Sequence, residues 1–166
     1  EANRVMNRSL ALAAVAGGGV YAIIYVGAPV MATLLGFEPR TEAIVVRYLR
    51  IDGIGHLATG LTLAGAAALR GAGDMRSPML VLGAVSILNV IISTALVFGV
   101  GPLPAVGIET VLVAPMGIDG IVLGTLVARF GGAALLLVVL GRGVSGLKLS
   151  AGELRLGGDA GRRVLA

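Results

Sequence analysis

The sequence predicts an all-α fold: a polytopic membrane helix bundle with four transmembrane helices. Three observations carry that expectation. Of 166 residues, 57% are hydrophobic even before 27 glycines are added, whereas soluble domains hold about 45–50% for apolar residues and glycine together. Charged residues are only 13% of the chain and the mean hydropathy is +0.98. The apolar residues also fall into four stretches, each long enough for the roughly 20 residues that a helix needs to cross the hydrocarbon core.

The first span covers about 10–35 and is closed by Gly36 and Pro39; its small residues Ala16 to Gly19 suit close helix packing in lipid. The second, about 44–69, crowds Arg47, Tyr48, Arg50 and Asp52 at its beginning and is uncharged from Gly53 to Leu69. Long charged side chains at a span's end snorkel to the interface. The third, about 79–100, follows Pro78 at a natural helix-start position and carries no charge. The fourth, about 116–140, is apolar except for Asp119 at its beginning and Arg129 near its middle. Between the last two lies a connector, Gly101 to Pro115, with three prolines and Glu109. Residues 1–140 thus read as the four-helix membrane bundle. From Gly141 onward Arg142, Lys148, Arg155, Arg162 and Arg163 alternate with leucines and glycines, so 141–166 reads as a basic cytoplasmic linker.

Several classes of function are excluded. Without cysteine there is no disulfide framework, thiolate zinc site or cysteine nucleophile, and one histidine makes an imidazole-built metal site improbable. The net charge of +4 could suggest nucleic acid, but aromatic residues are only 4% and no basic run interleaves with them, so no nucleic-acid partner is expected. Topology explains the charge instead. Alternating loops put Arg4, Arg8, Arg70, Arg76 and the tail cations on one side and Arg40, Arg47 and Arg50 on the other. The positive-inside rule then expects both ends of this piece in the cytoplasm of a multi-pass plasma-membrane protein. The chain opens on Glu1 with no signal segment, which reads as a piece of a longer protein.

Few residues can carry chemistry. The turn Leu69-Arg70-Gly71-Ala72-Gly73-Asp74-Met75-Arg76-Ser77-Pro78 combines glycines for a tight turn, Asp74 or Ser77 as helix cap, and arginines able to meet Asp74 or lipid phosphates. Asn89 and Ser93 stand four apart on one helix face, able either to coordinate a cation or bond a proton carrier, or simply to hydrogen-bond between helices. Asp52 and His56, also four apart, are a candidate proton relay or a hydrated structural pair near the outer interface. Arg129, costly at mid-membrane, either binds an acid from a helix outside this chain or snorkels in a shifted span. The run Gly141 to Gly146 fits G-x-G-x-x-G but follows a membrane helix rather than a strand, so it is no dinucleotide site. No catalytic nucleophile set appears, no cofactor is implied, and the chain does not read as an enzyme.

The turn from Leu69 to Pro78, preceded by Tyr48-Leu49-Arg50-Ile51, resembles the multidrug and toxic compound extrusion family, the MATE efflux transporters. Asn89 to Gly99, Gly117-Ile118-Asp119-Gly120 through Thr125, and Pro29 to Gly36 are similar to further segments of that family. The resemblance implies helices three to six of the N-terminal lobe of a twelve-helix transporter in two lobes, with the tail beginning the linker between lobes. It implies antiport: sodium ions or protons move inward and small organic, often cationic, compounds move outward by alternating access. It also matches Asn89 and Thr125 to positions that in some members help form a cation or proton site; Ser93 departs from the family, which often has a carboxylate there. Arg129 joins these three as our own candidate for the cation, proton or substrate cavity. The implied partners are the lipid bilayer, such substrates and the other helices of the parent chain. Rival readings are a lipid-linked saccharide flippase or polysaccharide exporter of the same superfamily, expected to line its cavity with several arginines, and a non-transporting membrane subunit. A membrane-embedded lipid phosphotransferase would need clustered aspartates, whereas Asp52, Asp74, Asp119 and Asp159 are dispersed.

Overall fold

Four helices account for most of the residues that the computed structural model describes, 2–101 and 111–143: α1 (Ala2–Leu34), α2 (Pro39–Gly71), α3 (Arg76–Phe98) and α4 (Ile118–Arg142). An all-α membrane bundle is therefore observed. Helices α1 and α2 have 33 residues each, about 50 Å at 1.5 Å per residue. A hydrocarbon core is about 30 Å thick, so both run on into the interface. This is why α1 begins at Ala2 instead of near 10, and α2 at Pro39 instead of 44. Hydropathy marks where lipid begins, while the helix continues through Arg4, Asn7 and Arg8 in one case and Arg40 to Glu42 in the other.

Helices α1, α3 and α4 are long and apolar enough to cross a membrane. Helix α2 falls short of that measure, against the expectation of four apolar spans. It carries Arg40, Arg47, Arg50 and Asp52 in its first half and His56, Thr59 and Thr62 beyond. Its place in the bundle explains how it tolerates them. It packs along α1 on one side and α4 on the other, and α3 packs against the far side of α4. The threonines satisfy their hydroxyls on their own helix: Thr59 Oγ1 donates to the Gly55 carbonyl at 3.0 Å and Thr62 Oγ1 to the Ala58 carbonyl at 2.9 Å. A polar group closed on its own backbone costs little in lipid.

The helices alternate in direction. A Cβ added at Gly17 would lie 2.8 Å from the Leu57 Cα, and one at Gly60 would lie 2.9 Å from the Ala13 carbonyl, so α1 and α2 are antiparallel and nearly in backbone contact. Gly120 lies against Leu96, Gly124 against Ser93 and Gly132 against Val85, an antiparallel α3–α4 seam of the same kind. Without a hydrophobic force between helices in lipid, such close packing is what holds them together. Small residues thus face inward. Large apolar ones face out, among them Ile23, Val26 and Leu34 on α1 and Met79, Leu80, Val90 and Phe98 on α3. A buried apolar cluster of Met6, Leu10, Leu69, Val81, Leu136 and Leu140 closes one end of the bundle.

At the other end, Pro29 inside α1 has no N–H to give the Tyr25 carbonyl. Arg50 fills that place: its Nε donates to the Tyr25 oxygen at 3.3 Å while its guanidinium stands 4.5 Å from the centre of the Tyr25 ring. The connector after α3 is pinned by an antiparallel bridge between Val100 and Val113. The start of α4 is set by Met116 N–H donating to the Leu96 carbonyl at 2.9 Å. Of the expected basic linker 141–166, only Gly141 to Gly143 lie within the described residues, as the last turn of α4 and its cap.

Candidate functional site

Asn89 on α3 and Thr125 on α4 are brought together across the α3–α4 seam. Ser93 Oγ donates to Asn89 Oδ1 at 2.8 Å, and Thr125 Oγ1 approaches the same oxygen at 3.4 Å. The second distance is long for a hydroxyl donor. All three side chains are half-buried. Gly120 and Gly124 create this meeting point, because only their missing side chains let α3 come so close. Three neutral oxygens converging between apolar helices form a ligand set of the type hard cations take; each hydroxyl can also turn its proton toward another acceptor.

Arg129 stands one turn beyond Thr125 on α4. Its Nη1 donates to Asp52 Oδ1 of α2 at 3.0 Å, with side chains 31% and 21% exposed respectively. The acid that a mid-span arginine requires therefore comes from this chain rather than from a helix outside it. Gly55 makes the room: a Cβ there would lie 2.8 Å from Arg129 Nη1 and 3.0 Å from its Cδ. Asp52 thus faces α4 inside the bundle, where its carboxylate accepts the hydrogen bond from Arg129. His56, one turn along α2, keeps a buried Nδ1 without a hydrogen-bond partner among the described residues, so the geometry joins Asp52 to Arg129 rather than to His56.

Three ties at the Pro39 end were not evident in the sequence. Arg47 pairs with Asp119 at 2.9 Å, Arg50 holds Tyr25, and Thr33 Oγ1 donates to Glu42 Oε1 at 2.9 Å. Only Pro29 signalled any of them, by orphaning the carbonyl that Arg50 reaches. The Arg47–Asp119 pair is largely exposed and adds little stability.

The turn from Arg70 to Pro78 closes α2 with a Schellman motif. Gly73, at φ 86°, donates to the Arg70 carbonyl at 3.0 Å, and Asp74 N–H donates to the Leu69 carbonyl at 2.9 Å. Asp74 then caps α3: its Oδ1 accepts the N–H groups of Arg76 at 3.0 Å and Ser77 at 2.9 Å. Hydrogen bonds from the Ser77 side chain and backbone, with a smaller one from the Arg76 backbone, hold its carboxyl below the ordinary 3.8. Because the folded value is lowered, the cap's contribution is complete above that ordinary value and is lost as pH falls through the folded one. Asp74→Ala is expected to speed amide exchange at Arg76 and Ser77 in the full-length parent, whereas Asp74→Asn retains most of the protection. Equal exchange in wild type and Asp74→Ala would remove the cap from this account.

The comparisons with known proteins agree with this architecture. A 103-residue stretch is 32% identical to a protein of Thermotoga maritima named "Probable multidrug resistance protein NorM", covering 62% of this chain and 20% of that protein. An 84-residue stretch is 30% identical to a protein of Shewanella oneidensis named "FAD transporter", covering 51% of this chain and 19% of that one. The chain thus spans about a fifth of the length of each relative. No solved structure matches it. The MatE family model matches residues 1–94, the part holding α1, α2, the Arg70 to Pro78 turn and Asn89, and the chain belongs to that family.

Proposed function

We propose that this chain forms part of the N-terminal lobe of a secondary transporter that exports organic, often cationic, compounds by antiport with sodium ions or protons, through alternating access of two lobes. The observation that carries the proposal is the convergence of Asn89, Ser93 and Thr125 between α3 and α4. In an apolar bundle, such a group is where a coupling ion exchanges its water for protein oxygens. The relative named as a multidrug resistance protein supports export of drug-like cargo. The Arg129–Asp52 pair supports a neutral or cationic cargo over a saccharide diphosphate lipid, because the arginine of the α4 span is already neutralised.

Arg4, Arg8, Arg70, Arg76 and Arg142 gather at one end of the antiparallel bundle. On the positive-inside rule that end faces the cytoplasm. The opposite end, with Arg47, Arg50 and Asp119, then faces outward.

Cells producing the full-length parent are expected to accumulate less of a fluorescent organic cation than cells lacking it, and the difference is expected to vanish when the sodium and proton gradients are both collapsed. Equal accumulation, or a difference that survives collapse, contradicts coupled export.

A further inference from the structure

Among the described residues, helix α4 is the only bridge of substance between the α1–α2 pair and α3, since α2 and α3 touch little beyond their shared turn. Helix α4 carries both Thr125, which meets Asn89 of α3, and Arg129, which meets Asp52 of α2, so its rotation about its own axis is shared by the two contacts. Among the described residues two ion pairs tie α2 to α4. One, Arg47–Asp119, is 66% and 36% exposed. The other, Arg129–Asp52, is more sheltered and begins one helical turn from Thr125. Thr125 and Arg129 share a face of α4 by their four-residue spacing. At 3.4 Å the Thr125–Asn89 approach is long enough for a small rotation of α4 to make or break it.

We propose that Asp52 and Arg129 are positioning residues for the Asn89–Ser93–Thr125 cluster: their ion pair sets the rotation and depth of α4, and through it the apparent affinity for the coupling cation. This rests on the reading of that cluster as the cation site. Neither charge contacts the cation. Gly55 belongs to the device, because its missing side chain lets the guanidinium lie against α2. A charge pair suits the task better than apolar packing, since its strength depends on direction as well as distance and so resists rotation.

The test uses the full-length parent in lipid vesicles, with uptake of a fluorescent organic cation measured against imposed sodium or proton gradients. Asp52→Asn and Arg129→Gln are each expected to raise the apparent KM for the coupling cation about three- to thirtyfold, with a smaller change in maximal rate. The exchanged pair Asp52→Arg with Arg129→Asp is expected to recover most of the loss. Gly55→Ala keeps both charges but displaces the guanidinium, and is expected to raise the same KM; it serves if the charge variants fail to fold. An unchanged cation KM in Gly55→Ala or in the folded charge variants overturns the proposal, as does a loss confined to maximal rate. Asn89→Ala and Thr125→Val separate the two readings. If these leave the cation KM unchanged, the cluster is not the cation site; if they raise it while the Asp52, Arg129 and Gly55 variants do not, the positioning role alone is wrong.

Discussion

Gly124→Leu in the full-length parent is expected to abolish gradient-driven transport and lower thermal stability in detergent. A Cβ at this position would meet the Ser93 Cα at 2.6 Å and its amide nitrogen at 2.8 Å, and backbone cannot step aside as a side chain can. Helix α3 must then retreat from α4, separating Asn89 from Thr125 and opening the seam that Gly120 and Gly132 share. Overpacking of a tight interface costs about 1–3 kcal/mol. Gly131 is the control: nothing lies within 4 Å of a Cβ built there, so Gly131→Leu is expected to leave stability and transport near wild type. Comparable loss in both variants would show that the α3–α4 approach is not what matters.

Arg129→Met is expected to destabilise the parent by about 1.5–3 kcal/mol, the range for losing a hydrogen bond to a charged group. It leaves the Asp52 carboxylate without its partner in a sheltered place. The side chains' partial exposure, 31% and 21%, keeps the cost below that of a fully buried pair. The double variant Arg129→Met with Asp52→Leu removes both charges and is expected to recover most of the stability, because two apolar groups leave no unpaired ion. Thermal unfolding of the wild type, both singles and the double gives the coupling directly. Additive losses would mean that the two residues act independently.

The sequence made the apolar helices legible because α1, α3 and α4 each hold a run matched to lipid thickness. It placed the beginnings of α1 and α2 too late, since Ala2 to Ser9 and Pro39 to Ala43 carry polar residues suited to the interface yet are helical. Helix α2 looked like an equal fourth span, but it carries more polarity than the others; packing between α1 and α4 shelters it, and no local pattern reports packing. In the site, the Asn89–Ser93 spacing was legible as one face of one helix. Thr125 came only through family resemblance, being 36 residues away. The Arg129–Asp52 pair was hidden further. A mid-span arginine announces that it needs an acid, but the choice of Asp52, 77 residues distant, depends on α2 and α4 lying side by side in parallel. Asp52 instead drew attention toward His56, its neighbour in sequence.

The central claim is that α3 and α4 carry the coupling-ion site of an exporter. Uptake of a fluorescent organic cation into vesicles containing the full-length parent, driven by a sodium or a proton gradient, tests it most directly when wild type is set beside Asn89→Leu. The expected result is uptake by wild type with one of the two gradients, and loss of that gradient dependence in a folded Asn89→Leu protein. Equal gradient-driven uptake by both proteins would contradict the claim.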